Sequence, residues 1–186
     1  MANLCSTIYK CVGDEKELKE LYQIIKKNYD SREPYLCSIL ESMGVDLKEL
    51  DKKGLRYRGD ITYFDYDDGI LTIDQDTAWC EQEGFRICIE EKYPNVKVFY
   101  CEEEPGFGIY RTNDTEGEYF FEKFVIDNSD DHEYFDRVDS VVEYLSKHYG
   151  IVVDDNTEEG IQASIDKYVK SRNDDFYRYV HEFKHE

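Results

Sequence analysis

Residues His181, Glu182, Phe183, Lys184 and His185 fit H-E-x-x-H. On a helix that spacing sets two imidazoles on one face to hold a metal, with the glutamate as base toward a bound water. Two features speak against that use here. The motif lies one residue from the chain end, where helices fray, and no third ligand follows it. A helix that ends in His and Lys also suits its own dipole. The expectation is a solvated helix end, with no catalytic residue and no metal ligand assigned. A second cluster is Asp65, Asp67, Asp68, Asp74 and Asp76, whose oxygens are the donors that Ca²⁺ or Mg²⁺ takes. Gly69, however, falls one place early for a D-x-D-x-D-G loop, no Glu closes the loop, and strand alternation sends neighbours to opposite faces. These carboxylates are expected to form a solvated edge that discourages sheet-to-sheet association.

Three smaller signals also have structural explanations. Trp79, flanked by Thr77 and Ala78, could line a groove, but a large aromatic at the junction of strand and helix is expected to anchor the core. Gly106 and Gly108 lead into a strand rather than a helix N-terminus and so form a turn, not a phosphate cradle. Cys80 sits in acidic surroundings with no neighbouring His in the sequence, which opposes a reactive thiolate. No cofactor is implied.

Charge is the largest anomaly. The chain has 186 residues and a formal charge of -20, with a 15% aromatic share that is too high for a disordered acidic chain. Residues 1–58 are balanced, with 11 Lys/Arg against 10 Asp/Glu, whereas residues 59–186 hold 12 against 33. Residues 60–83 contain eight carboxylates and no Lys or Arg, and residues 101–143 contain 14 carboxylates against three basic residues. Such a field repels nucleic acid and anionic membrane and attracts basic protein surfaces or cations. The residues expected to form this partner-binding surface are Asp65, Asp67, Asp68, Glu102, Glu103, Glu104, Glu116, Glu118, Asp130 and Asp131. Six cysteines without a C-x-x-C pair, and no leader or long apolar run after Met1, indicate a reduced cytoplasmic protein with no membrane span.

The elements that would carry these residues follow from periodicity. Residues 3–12 alternate as a strand, with Leu4, Ile8 and Val12 on one face and Cys5, Tyr9 and Cys11 on the other. Asp14 and Glu17 make a capping-box pair for a helix over 15–29. Residues 30–58 read as a helical insert, with Pro34 in a first turn, Leu36 to Met43 continuing it and a further short turn before KKGLRYRG. ITYFDY and ILTIDQ flank a D-G turn and make a hairpin, with Ile61, Tyr63 and Asp65 on one face. A helix over 80–93, a strand at Val96–Tyr100 and an EEEPGFG turn follow. Strands over 109–112 and 119–126 then form another hairpin. The last stretch reads as two helices, one carrying Tyr134 to Leu145 and one carrying Ile161 to Phe183, with YGIVVDD as a short strand between them. The expected fold is α+β, a ferredoxin-like antiparallel sheet over 1–128 with helices on one face, and a C-terminal helical extension over 129–186.

The strand beginning within MANLCS, the DTAW motif after the hairpin, the YPNVKVFY strand and the EEPGFG turn resemble the YubB/Api-type ferredoxin-like domain family over residues 1–128. Members commonly follow the Trp with a Ser-Pro-Pro-like turn, where this chain has Cys80, Glu81 and Gln82. The resemblance implies a fold and a setting in phages, plasmids and bacterial genomes, and it carries no catalytic set. Together with the charge, it leads to the expectation of a non-enzymatic acidic interaction protein of a mobile element. Such a protein would inhibit a basic, nucleic-acid-handling host or defence protein by mimicking nucleic acid. The alternatives are a metal-dependent hydrolase using the His pair or the Asp cluster, and a small-ligand-binding or structural accessory module.

Overall fold

Strand β1 (Leu4–Gly13) buries Cys5, Thr7, Tyr9 and Cys11 on one face and turns Leu4, Ser6, Ile8, Lys10 and Val12 to the other. The cysteine and tyrosine face is therefore the core side. The structure, a computed structural model, describes residues 3–128, 132–172 and 178–185. The chain divides into two compact units, Met1–Asp114 and Thr115–Glu186, so the boundary falls before the expected one at residue 128.

In the first unit, Asp14 caps α1 (Glu15–Asp30) by accepting from the Lys16 and Glu17 N–H groups at 3.1 and 3.0 Å. The Glu17 carboxylate does not reach back to close the box. It holds Asn95 instead, through the backbone N–H at 3.1 Å and the side-chain amide at 2.9 Å, and so ties the helix start to the residue just before Val96, which pairs with Gly13. The insert forms α2 (Leu36–Ser42) and α3 (Leu47–Lys53). It joins the main core through Leu36, Ile39, Leu40, Met43 and Leu50, all buried in the same cluster as Leu18, Leu21 and Ile25 of α1.

Strands β2 (Gly59–Asp67) and β3 (Ile70–Ala78) meet at Asp68 and Gly69, both at positive φ (46° and 81°). That is the two-residue hairpin turn expected of D-G, because its twist matches the strands. The pairing shifts register between Ile61 and Tyr63. The bulge flips the strand, so Ile61, Phe64 and Tyr66 face the core and Tyr63, Asp65 and Asp67 face away. The expectation that Ile61, Tyr63 and Asp65 share a face is corrected by that one extra residue.

Helix α4 (Glu83–Lys92) starts three residues later than expected. Strand β4 (Val96–Glu104) runs further than expected and takes Glu102, Glu103 and Glu104 into the sheet. A single 3-10 turn at Pro105–Phe107 then leads to β5 (Ile109–Thr112). Within this unit the strand order is β2-β3-β1-β4-β5 and every neighbouring pair is antiparallel. The core lies between the helices and the Tyr9–Cys11, Leu71–Ile73 and Val96–Tyr100 stretches of the sheet.

The second unit is not a helical extension. Strands β6 (Phe124–Asn128), β7 (His132–Phe135) and β8 (Arg178–Glu182) form a sheet in the order β7-β6-β8. Helices α5 (Val138–Tyr149) and α6 (Glu158–Arg172) bury Val141, Leu145, Ile161 and Ile165 with Ile126 and Val180. Three expectations are corrected. The strand near 119–126 pairs with β7 and β8 rather than β5, because Phe124–Asn128 finds its apolar partners over α5 and α6. Ile151–Val153 is a loop, not a strand. Val180 and Phe183 lie in extended chain, not helix; Gln162 of α6 holds both the Val180 N–H (2.9 Å) and the Arg178 carbonyl (3.1 Å). Among the described residues no helix is long and apolar enough to cross a membrane.

Gly13 is a position where no side chain fits. Its φ is 142° and a Cβ would lie 1.9 Å from the Asn95 carbonyl oxygen, whose own partner is the Asp14 N–H. Gly13→Ala is expected to lower the unfolding free energy by about 3 kcal/mol or more, read from the urea midpoint. A shift within about 0.5 kcal/mol of wild type would contradict the packing described.

Candidate functional site

The core face of the sheet changes character along the strands. Tyr100, Tyr9 and Ile73 are paired across β4, β1 and β3, and this row is apolar apart from the phenol tips. The next row is Glu102, Thr7 and Gln75, and beyond it lie Cys5, Thr77 and Glu104. All six are buried. Buried carboxylates need donors, and the turn between β3 and α4 provides them. The Glu81 N–H donates to Glu102 Oε2, the Cys5 thiol lies 3.7 Å from the same oxygen, and Arg111 Nη1 stands 3.7 Å from Oε1. Burial, and then the Glu102 charge, push the Cys5 thiol up to about 11 against a hydrogen bond with Thr7. Cys5 is thus a neutral donor. Glu104 is satisfied differently: its carboxylate accepts from the Gly106 and Phe107 N–H groups at 3.1 and 2.8 Å, capping the 3-10 turn.

The same turn is fixed from its other side. Glu81, itself buried, accepts from the Tyr9 hydroxyl at 2.8 Å and from Arg86 Nε at 2.7 Å, and the Arg86 guanidinium lies 5.1 Å from the Tyr100 ring centre. Burial disfavours the Arg86 charge, but the bond and charge of Glu81 more than offset it, so its pKa is raised. Gln82 spans the gap to the insert: its Oε1 accepts from the Arg58 N–H at 2.6 Å, and its Nε2 donates to the Cys80 carbonyl at 3.0 Å. Gln75 alone in this cluster has an amide that meets no protein partner.

With Glu81, Gln82 and Glu102 filling the space beneath the turn, Trp79 is forced out. Its backbone N–H donates to the Asn3 carbonyl at 3.1 Å, its φ is 75°, and the residue is 45% exposed, with the indole 5.7 Å from Phe107 between ring centres. The expectation of a core anchor is therefore corrected. The indole instead borders a cleft of about 460 Å³, to which Leu55, Arg56, Tyr57 and Arg58 contribute from the insert and Ala78 and Gln82 from the turn. Arg56 holds Glu83 through Nε (2.8 Å) and contacts Cys80 Sγ through Nη1 at 2.5 Å. Burial raises the Cys80 thiol pKa; Arg56 works against this, while Glu102 and Glu83 add to it.

The carboxylates expected to form one acidic surface fall into different settings. Asp65, Asp67 and Asp68 come together, exposed, at the end of the β2–β3 hairpin. Glu116 and Glu118 are exposed but belong to the second unit. Glu103 is half-buried on β4. Glu102 and Glu104 are withdrawn from the surface altogether, at 1% and 2% exposure, because β4 continues through them and alternation turns both to the core side. Asp130 and Asp131 lie outside the described residues. The H-E-x-x-H stretch is extended, with His181 and Glu182 in β8 and His185 in β9 (Lys184–His185). Four strand residues span about 13 Å, too far for two imidazoles to share an ion. Among the described residues no group of three or more His, Cys, Asp or Glu could hold a metal. The signal that sequence reading missed was in the pattern itself: Val96, Val98, Tyr100, Glu102 and Glu104 keep one period of two.

Two outcomes follow. Glu102→Leu leaves the Glu81 N–H buried without an acceptor and is expected to cost about 1–3 kcal/mol in urea unfolding, with Glu102→Gln costing less; an unchanged or raised stability for the leucine variant would contradict the arrangement. His181 has its pKa lowered by burial, against the pull of Glu158 and Asp127. The unfolded chain therefore takes the proton first as pH falls below its ordinary value of 6.5, so His181 stabilises the fold above that pH and this contribution is lost below it. Replacing His181 by Gln is expected to flatten the fall in stability as pH drops below about 6.5, and parallel curves would contradict the assignment. Compared with known protein families, curated proteins and solved structures, the chain matches none.

Proposed function

We propose that the chain is a non-enzymatic interaction protein that engages a basic, nucleic-acid-handling partner through the outer face of the β2–β3 hairpin. We further propose that its first unit is a ferredoxin-like domain of the YubB/Api type, acting in the cytoplasm of a bacterial host as part of a mobile element. With the insert helices α2 and α3 set aside, the β1-α1-β2-β3-α4-β4 order and the β4-β1-β3-β2 arrangement across the sheet support the ferredoxin-like reading. Six cysteines, all free, are in keeping with a reducing compartment.

The observation that carries the functional reading is the outer face of the hairpin. The bulge after Ile61 places Tyr63, Asp65 and Asp67 there, opposite Asp74, Thr72 and Ile70, and Asp60 pairs with Asp76 before it. Successive carboxylates on one strand face stand about 6.6 Å apart, so the ribbon offers a stiff line of negative charge beside an exposed phenol. A phosphate backbone presents its charge in a comparable regular line. Burial raises the Asp74 pKa, and Lys10 of β1 works against that rise. Charge of one sign on a rigid ribbon speeds encounter with a basic surface and makes it salt-sensitive.

The test is capture from a bacterial lysate at low salt by the wild-type chain and by a variant with Asp65→Asn, Asp67→Asn and Asp68→Asn. The wild type is expected to retain a basic protein that raised salt or added DNA releases. The variant should retain at least about tenfold less of it. Equal capture by both proteins, or capture indifferent to salt and DNA, would sink the reading.

A further inference from the structure

We propose a second binding site, independent of the acidic hairpin: the cleft beside Trp79 takes a small ligand in which a flat aromatic ring is joined to one anionic group, a phosphate or a carboxylate. The cleft is of the size that such ligands occupy, about 460 Å³ against roughly 300–1,000 Å³ for small-molecule sites. Its chemistry runs opposite to the rest of the chain. In a protein of charge -20, two arginines and one carboxylate residue, Asp51, line it.

The two arginines have different duties. Arg56 is committed to Glu83 and Cys80 and so forms part of the wall. Arg58 is exposed, and no ion pair or side-chain hydrogen bond engages it among the described residues. Its backbone, by contrast, is pinned by Gln82. Arg58 is thus a cation held at the cleft with its charge unspent. Asp51, the carboxylate of the lining, is occupied by the Tyr57 hydroxyl at 2.7 Å.

Trp79 provides the ring-binding surface. A bulky residue at positive φ is a genuine outlier that costs roughly 1–3 kcal/mol, and such strain gathers at binding sites. Here it turns an indole out to solvent that would stabilise the fold if buried. An indole face is a stacking platform for a flat ring.

The walls are also set in advance. The Gly84 N–H donates to the Arg56 carbonyl at 2.8 Å, and a Cβ on Gly84 would lie 2.6 Å from that same oxygen. The α4 start therefore fits closely against the 55–58 segment, which lowers the ordering cost of binding. A nucleic-acid polymer is disfavoured by the overall charge, whereas a single anionic group meets Arg58 alone.

The chain has one tryptophan, so its fluorescence reports the site directly. The full chain is titrated with adenosine monophosphate (ring and phosphate), nicotinate (ring and carboxylate), adenosine (ring alone) and inorganic phosphate (anion alone). Saturable quenching by adenosine monophosphate, nicotinate or both is expected, with half-saturation at about 1 mM or below. Which of the two binds tells phosphate from carboxylate. Adenosine and phosphate alone should be weaker by about tenfold or more, and Arg58→Gln should weaken the ring-anion ligand by a similar factor with the urea midpoint unchanged. Trp79→Phe, followed by calorimetry, should retain binding because a ring remains. The proposal is overturned if neither ring-anion saturates, if adenosine or phosphate alone binds as well, or if Arg58→Gln binds as tightly as wild type. None of these results bears on capture through the acidic hairpin, which uses a different face.

Discussion

The hydrogen bond from the Glu81 N–H to the buried Glu102 carboxylate is the contact on which the first unit turns. A carboxylate at 1% exposure must be met by donors or give up its charge. The chain meets it by folding the segment after β3 inward at Glu81 and Gln82. That choice brings the Glu81 side chain onto Tyr9 and Arg86, and Gln82 onto Arg58. The same choice leaves Trp79 no room beneath the turn. Acid goes in and tryptophan goes out, the reverse of what residue type alone dictates.

A second exchange of faces occurs on the edge strand. One extra residue after Ile61 re-aims everything that follows it, so two aromatics join the core and a line of aspartates faces away. The protein thereby separates its charges: carboxylates of one sign line the outer face of the hairpin, while the guanidiniums of the insert border the cleft by Trp79. The two surfaces ask for ligands of opposite charge. At the cleft Glu83 pairs with Arg56 and the Tyr57 hydroxyl holds Asp51, which leaves Arg58 as the arginine there that no ion pair engages among the described residues.

Much of the first unit was legible in the sequence. Alternation in 3–12, the Asp14 cap, the D-G turn and the helical insert each rest on a local rule that nothing else in the chain overrides, and each appears where its residues place it. The candidate site was legible only in part. Asp65, Asp67 and Asp68 flank a tight turn and must be exposed, which local reading captures. Glu102 and Glu104 read as surface because charge is weighed residue by residue, although they continue the period of Val96, Val98 and Tyr100. Trp79 read as core because its outward turn depends on the Asn3 carbonyl and on Glu102, both remote in sequence. The second sheet was hidden for a similar reason. Phe124 pairs with Glu182 across two helices, and the apolar spacing of α6 runs on numerically into Val180 and Phe183 although the chain has become extended by then.

The most direct test of this account is the local charge at the single tryptophan, read by comparing collisional quenching of its fluorescence by iodide and by caesium at matched ionic strength. A solvent-accessible indole that iodide quenches more strongly than caesium is expected, because Arg58, which no ion pair engages among the described residues, lines the same cleft despite the net charge of -20. An indole sheltered from both ions would return Trp79 to the core. Stronger quenching by caesium would show that the cleft is as acidic as the rest of the chain, and either result would contradict the account.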